Sequence, residues 1–541
     1  MPKTDLLKNE GLTAAFFIIL VPLLSHLLFS WMGFTPTDEG FTLAYSRRLL
    51  DGQLPHRDFI IIRPFFSPLM HVPFVYFGGG YTFWISRLFV WVELACISWL
   101  WVSIINRMMK TPLSPAQKFL VAMISFAATT HTKHLTAWHT IDGLFLSAIG
   151  LALCTKAGQK HKLPGYLLLG LAPLCKQNFI FMIPLSLIIL KDWKQVRYWI
   201  AALVPGLGYL GYLLLAHAFF DALVQLTSRT EFLEAGVLQY LSKRVAVSFV
   251  VGYVSLWLIL GRSFKSGTAR KWIAILLLFC GPLLGTAASL WFGILQGTAF
   301  GLFGILAGAT VYLLTSNYTP ENWKPVTLLV IATTWTASIS GGYNTPALMA
   351  GPVLVTLIAF VFSLHRQNRA LLYSLIIFSL LIVFSFGVAR TRYIYRDQPA
   401  TQLTRSLAEV LPGGKHIYTN PNTFAFMQDL DGAVEFVEAE HKHYAILPDV
   451  AAYWVKAPQQ NPLPAVWPHA EELSNQVLMD RFINALEANR ADTILILQKV
   501  EAKELSKGFV PLPSSDYYEV VNYARAHFVK IHETNYFELY R

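Results

Sequence analysis

The sequence predicts a mainly α-helical, polytopic membrane protein, with about thirteen transmembrane helices and a small extracytoplasmic α/β domain at its C-terminal end. Three observations carry that expectation. Of the 541 residues, 54% are hydrophobic and 14% charged, against roughly 25% charged in soluble globular proteins. The apolar residues gather in blocks that approach the about 20 residues a bilayer-spanning helix needs. The charge balance also reverses: residues 1–389 hold 28 Lys and Arg against 13 Asp and Glu, and residues 390–541 hold 15 against 19. Disordered, collagen-like and disulfide-framework chains are excluded, as is an ordinary cytosolic enzyme. The net charge of +11 does not point to nucleic acid, because the basic residues stand in short loops between apolar blocks, where they set topology.

The first block, Leu12 to Phe34, is too long for the apolar part of a signal peptide, and no small-residue cleavage site follows it, so it reads as a retained span. Blocks follow at Phe83–Ile105, Phe119–Thr130, Gly143–Cys154, Leu163–Leu174, Phe179–Leu190, Tyr198–Phe220, Val245–Leu260 and Trp272–Leu290. The last four are Ile294–Leu314, Val326–Ile339, Ala347–Leu364 and Leu371–Ala389. With Lys3 and Lys8 in the cytoplasm, about 18 Lys and Arg fall in inner loops and about nine in outer ones, the asymmetry that sets orientation. An odd number of spans then delivers the tail to the outside. Cys96, Cys154, Cys175 and Cys280 lie in or beside apolar blocks without C-x-x-C spacing and read as small hydrophobes. Gly293, Gly297 and Gly301, with Gly304 and Gly308 one turn on, set G-x-x-x-G spacing that lets another backbone approach. Helix packing within the chain and homodimerisation both fit it. Gly78-Gly79-Gly80 follows no strand and reads as no phosphate loop.

Residues 1–389 thus form the membrane domain and 390–541 the tail. The tail has strand-like runs at His416–Thr419, Tyr444–Leu447 and Thr493–Leu497, and helix-like stretches at Thr401–Val410 and Asn475–Asn489. A hairpin closes it, Phe528–His532 with Tyr536–Tyr540. At about 150 residues it is long enough for its own core.

Charged residues at a membrane mouth are costly without a partner or water, so the first outer loop, about residues 35–82, is where chemistry is sought. It opens T-P-T-D-E-G-F-T-L-A-Y-S-R-R-L-L-D-G-Q-L-P-H-R-D-F. Thr37 or Asp38 can cap a helix whose apolar residues Phe41, Ala44, Tyr45, Leu49 and Leu50 recur at helical spacing. Gly52 and Pro55 end it. Such a helix is expected in the interface plane, with Arg47 and Arg48 near lipid phosphates. Asp38 and Glu39 fit a dipole-stabilised helix start as well as a catalytic or metal-binding pair. Elsewhere, Lys176 fits a helix end that snorkels to the interface, Arg63 a topology residue, and Asp142 a cap for a helix starting at Gly143. His131, His134 and His139 share one outer loop, but their spacing lacks a shared face for zinc.

The order and sidedness of these segments resemble the membrane-embedded glycosyltransferases of the GT-C type, which include the aminoarabinose transferases and protein O-mannosyltransferases. In that family an outer loop opening D-E leads into an interfacial helix reading roughly A-x-x-[LM]-L-x-G-x-x-P. Ala44, Leu49, Leu50, Gly52 and Pro55 fit it, and H-R-D-F at His56–Phe59 looks like the family's Y-R-D-F. Arg63-Pro64 with the following F-F-S-P-L-M, and Arg87 at the second span, are similar to the family's basic positions. T-I-D-G-L-F places Asp142 where the family has an acidic residue, and L-C-K-Q-N places Lys176 at its lysine turn.

The resemblance implies a sugar donor on a polyprenyl phosphate and a lipid, glycan or protein acceptor. It implies Asp38 as general base, inversion in one displacement, and Arg63 and Lys176 on the donor phosphate. Glu39, Asp142, Arg57 and Asp58 stand as residues for the acceptor or a cation. No cofactor is implied beyond the option of a divalent cation, and the expected location is a bacterial inner membrane. Phe41 where some relatives have Arg, Ile62 in place of a Glu, and a single Pro64 in place of Pro-Pro argue against aminoarabinose transfer itself. Two other readings compete. A polyprenyl-linked glycan polymerase or ligase would use the loop Asp221–Arg244, with Arg229, Glu231 and Glu234. A transporter would show broken spans and internal repeats.

Overall fold

The computed structural model describes residues 10–111, 113–131, 135–229, 231–260, 268–317, 320–340, 345–365 and 368–541. The helices of the membrane part are α1 (Glu10–Phe29), α2 (Asp38–Leu50), α3 (Phe66–Phe77), α4 (Thr82–Met108), α5 (Pro115–Thr130), α6 (His139–Cys154), α7 (Lys162–Cys175), α8 (Met182–Ile189) and α9 (Val196–Leu215). They continue as α10 (Phe219–Leu226), α11 (Glu231–Leu238), α12 (Lys243–Leu260), α13 (Thr268–Ile275), α14 (Gly281–Trp291), α15 (Leu295–Thr315), α16 (Trp323–Ser338), α17 (Ala350–Leu364) and α18 (Arg369–Arg392).

Each of the thirteen apolar blocks is helical over most of its length, yet among the described residues only eight helical segments are long and apolar enough to cross a membrane. The blocks at α5, α6, α7, α8 and α16 are shorter. Between α7 and α8 the break has a local cause. Lys176 leaves the helix in an extended conformation, and a 3-10 turn over Gln177–Phe181 follows. Large apolar side chains on the long helices face outward, as at Ile19 (67% exposed), Leu215 (86%) and Phe384 (63%). An apolar surface of that extent needs lipid rather than water around it. The molecule is a polytopic membrane protein with a C-terminal α/β region.

The glycine stripe is used inside the chain. A Cβ at Gly308 would collide with the Phe249 backbone, and one at Gly304 would come 2.7 Å from the Val245 carbonyl. Close packing of α15 on α12 therefore accounts for the spacing.

In the tail, β1 (Arg405–Ser406) pairs antiparallel with β2 (Tyr418–Thr419). A four-stranded sheet follows from β3 (His443–Leu447), β4 (Thr493–Gln498), β5 (Lys530–Glu533) and β6 (Phe537–Tyr540), in the order β3-β4-β6-β5. β3 and β4 are parallel, Tyr444 opposite Ile494, and the β5–β6 hairpin closes the edge. Helices α19 (Pro421–Ala439), α20 (Gln476–Ala488) and α21 (Glu519–His527) cover it. Residues 401–410 are not a helix. They hold two 3-10 turns around β1, because Ser406 turns its side chain back to cap Ala408.

The tail does not stand apart from the first loop. The Ile60 amide donates to the Pro464 carbonyl at 2.7 Å and the Ala452 amide to the Pro36 carbonyl at 2.9 Å. Phe41, Ala44, Tyr45 and Phe59 share one hydrophobic core with Ile446, Trp454 and Trp467. Helix α2 therefore lies under the tail, not on a bilayer surface. Arg48 is buried and donates to the Gln53 side chain and the Leu463 carbonyl, while Arg47 pairs with Asp51 at 2.8 Å. Neither is placed for lipid phosphate. The cause is Gly40, where a Cβ would meet the Ala451–Ala452 backbone; its absence lets the tail settle onto the helix.

Candidate active site

Asp38 is the first residue of α2, and its carboxylate is buried. Neither it nor Thr37 makes a side-chain cap. Its Oδ2 instead accepts the Tyr395 hydroxyl at 2.8 Å and pairs with Arg396 Nη1 at 3.0 Å. The same Arg396 nitrogen donates to Thr37 Oγ1 at 2.9 Å. Arg396 sits at φ +52°, a left-handed conformation that costs energy in a non-glycine residue and is kept only where surroundings enforce it. Asp397 enforces it. Its carboxylate collects the Phe34 and Gln398 amides and the Thr419 and Asn420 side chains at 2.6–2.9 Å.

A second carboxylate, Asp449, approaches from the tail. The Trp467 indole donates to its Oδ1. Burial pushes the Asp449 carboxyl well above the usual carboxylate range, and the charge of Asp38 adds to the push, with Arg396 pulling the other way. Trp467 lies 4.9 Å from the Phe41 ring, and the Arg63 guanidinium lies over the same ring, 5.2 Å from its centroid. Arg63 in turn donates to Glu472 Oε1 at 2.8 Å. His469 stacks on Tyr517 and accepts the Glu471 amide at Nδ1, which leaves the proton on a buried Nε2. Burial, then Lys503, Arg229, Arg63 and Arg396, lower its pKa to about 3. Four cations thus converge on the junction of tail and membrane part.

Arg63 and Lys176 meet in one cavity of about 200 Å³. Arg229, Gln177 and Asn178 line it with them, beside Ile62, Ile180, Phe181, Phe232 and Leu233. Ile180 and Leu233 are also exposed on the outer apolar surface. Lys176 is buried, with Nζ 3.0 Å from Thr140 Oγ1, and is not a snorkelling residue.

The other predicted residues go elsewhere. Both Glu39 oxygens are held by Arg87 at 2.8 Å, and Arg87 also donates to the Ser30 and Gly33 carbonyls. Glu39 thereby ties α2 to α4. Asp142 lies in the first turn of α6, which starts at His139, and its carboxylate takes the Ser67 hydroxyl and faces His71. It caps no helix. Arg57 and Asp58 pair with each other at 2.8 Å, and Asp58 accepts the Leu54 amide, a local turn away from Asp38. His134 lies outside the described residues. Sequence reasoning missed Tyr395, Arg396, Asp449, Trp467, His469 and Glu472. The cluster R-Y-I-Y-R-D directly after the last apolar block was the one signal available, since charge packed against a membrane exit needs a partner.

A raised carboxyl pKa makes the folded state hold its proton more firmly than the unfolded state. The stability it contributes is complete at low pH and is lost as pH rises through the folded-state value. Thermal unfolding in detergent is therefore expected to shift down as pH rises above the ordinary carboxylate range, and Asp449→Asn to flatten that slope. An unchanged slope in the variant would detach Asp449 from the effect.

No family model and no curated protein matches the chain. Among solved structures it is similar to the Archaeoglobus fulgidus oligosaccharyltransferase in its apo form, at 11% identity and a TM-score of 0.39 over 91% of this chain and 69% of that one. That likeness is too slight to bring the other protein's chemistry to this chain.

Proposed function

We propose that the protein is a glycosyltransferase that moves a sugar from a polyprenyl-phosphate carrier to an acceptor hydroxyl on the outer face of a bacterial inner membrane. The observation that carries the reading is the cavity in which Arg63, Lys176 and Arg229 come together beside apolar residues exposed to lipid. A polyprenyl phosphate has that dual character, an anionic head on an apolar chain that enters sideways from the bilayer.

Asp38 is the base. Its two described donors both go to Oδ2, which leaves Oδ1 for the proton of the acceptor. As that proton moves to Asp38, the acceptor oxygen bonds to C1 of the sugar and the C1–O bond to phosphate breaks, inverting the centre. Negative charge grows on the departing phosphate, where fixed cations stabilise it without reorganising. Arg396 holds Asp38 in place, and burial beside Asp38 favours the neutral form of Asp449. Arg229, the residue a polymerase or ligase would use, belongs to the same cradle. The tail lies outside the cell in this reading.

Arg63→Ala and Lys176→Ala are each expected to raise the KM for a polyprenyl-phosphate sugar by about 10-fold or more, the size of a lost charge-assisted hydrogen bond. Arg63→Lys should recover part of it, because the charge survives and the planar fork does not. Wild-type donor kinetics in both alanine variants would remove the cradle.

A further inference from the structure

Helices α3, α4 and α6 bring three metal-ligating side chains together at a place the proposed transfer does not use. His71, Glu93 and Asp142 each offer a ligand atom within 4.8 Å of the other two, and all three residues are 0% exposed. His71 Nε2 lies 3.2 Å from Asp142 Oδ1, a separation typical of two donors on one small cation, where each ligand bond is about 2.0–2.2 Å.

A second observation is independent of that clustering. Both carboxylate oxygens of Glu93 are buried without a hydrogen-bond donor, and so is Nδ1 of His71. An unpartnered carboxylate inside a membrane bundle is among the costliest arrangements a chain can hold. Among the described residues no Lys or Arg pairs with Glu93 or with Asp142. Two carboxylates at this distance repel each other, and a dication cancels both charges at once. Hydroxyl support is already in place, since Ser67 donates to the Asp142 oxygen that does not face His71.

We propose that His71, Glu93 and Asp142 bind one divalent transition-metal ion. One imidazole nitrogen with two carboxylate oxygens suits Zn²⁺ better than Mg²⁺ or Ca²⁺, which take all-oxygen shells. The ion joins three helices contributed by the first loop, the second apolar block and the fourth. Ser67 fixes the Asp142 carboxylate for binding, and the ion leaves a coordination position open beyond the three protein donors.

The test uses the full chain purified in detergent without a histidine tag. Elemental analysis should find about one zinc per chain after dialysis, as a buried three-ligand site implies. After chelator treatment, adding ZnCl₂ should raise the unfolding temperature of the wild type. Glu93→Gln and His71→Ala should neither retain zinc nor respond to it. A wild type that holds no metal as purified, takes up none from ZnCl₂ and shows no thermal shift overturns the proposal, and the two carboxyl groups then share a proton. That measurement stands even if the variants do not fold. It reads no transfer activity, so its outcome is separate from that of the glycosyltransferase reading.

Discussion

Asp38→Asn is expected to lower sugar transfer by about 100-fold or more, because an amide cannot take the proton that general-base catalysis moves. The substitution is mild for the fold. Asn keeps the size of Asp, and its carbonyl oxygen can still accept the Tyr395 hydroxyl and the Arg396 guanidinium that now reach Oδ2. Turnover per folded molecule, measured with a polyprenyl-phosphate sugar in membranes of matched protein content, is the readout. Retention of more than about a tenth of wild-type turnover would rule out the base assignment, given the usual size of that contribution. Glu39→Gln is the paired comparison and acts differently. It breaks a buried bidentate pair with Arg87, so the loss, about 3–5 kcal/mol for a buried charge left without its partner, should appear in the yield of folded protein.

The second large effect is expected at Gly40→Val. Any Cβ there collides with the Ala451–Ala452 backbone, and backbone cannot rotate away as a side chain can. The strain, about 1–3 kcal/mol for overpacking, falls on the close backbone contact between the tail and α2. Displacing it withdraws Asp449 and Trp467 from the neighbourhood of Asp38. Activity should therefore fall by more than about tenfold, a larger loss than the stability cost alone would suggest, and limited proteolysis should release the tail. Gly432→Ala, on an open face of α19 with nothing within 4 Å, should leave both unchanged. Intact tail docking in the Gly40 variant would show that the contact is dispensable.

The helical blocks were legible because each is written locally, in a run of apolar residues bounded by charge. The α2 helix was legible too, from the spacing of Phe41, Ala44, Tyr45 and Leu49. Its surroundings were not. An apolar face looks the same in sequence whether lipid or another domain covers it, and the cover here comes from residues such as Ala452, Trp454 and Trp467, hundreds of positions away. Arg63 and Lys176 could be singled out by the resemblance of Arg63-Pro64 and L-C-K-Q-N to the family's motifs, since charge alone also fits a topology residue and a helix end; both line one cavity. The partners of Asp38 could not, since Tyr395 lies 357 positions away and no periodicity operates over that distance. Residues 401–410 misread as helix because Leu403, Leu407 and Val410 recur with helical spacing, while Ser406 caps a turn in the middle of them.

The clasp between the first loop and the tail has a consequence for how the protein is made. Asp38, Glu39 and Arg48 are synthesised well before Arg396, Ala452 and Leu463, which close over that loop. Contacts of such long sequence separation form late and slowly. Until the tail is made, the loop must wait with its apolar face uncovered, the kind of surface that chaperones and proteases recognise in unfinished multidomain chains. A product cut short just after residue 389, where the last apolar block ends, would carry a complete set of apolar blocks and an Asp38 without Tyr395 and Arg396. Its first loop would stay without the cover that the tail gives it.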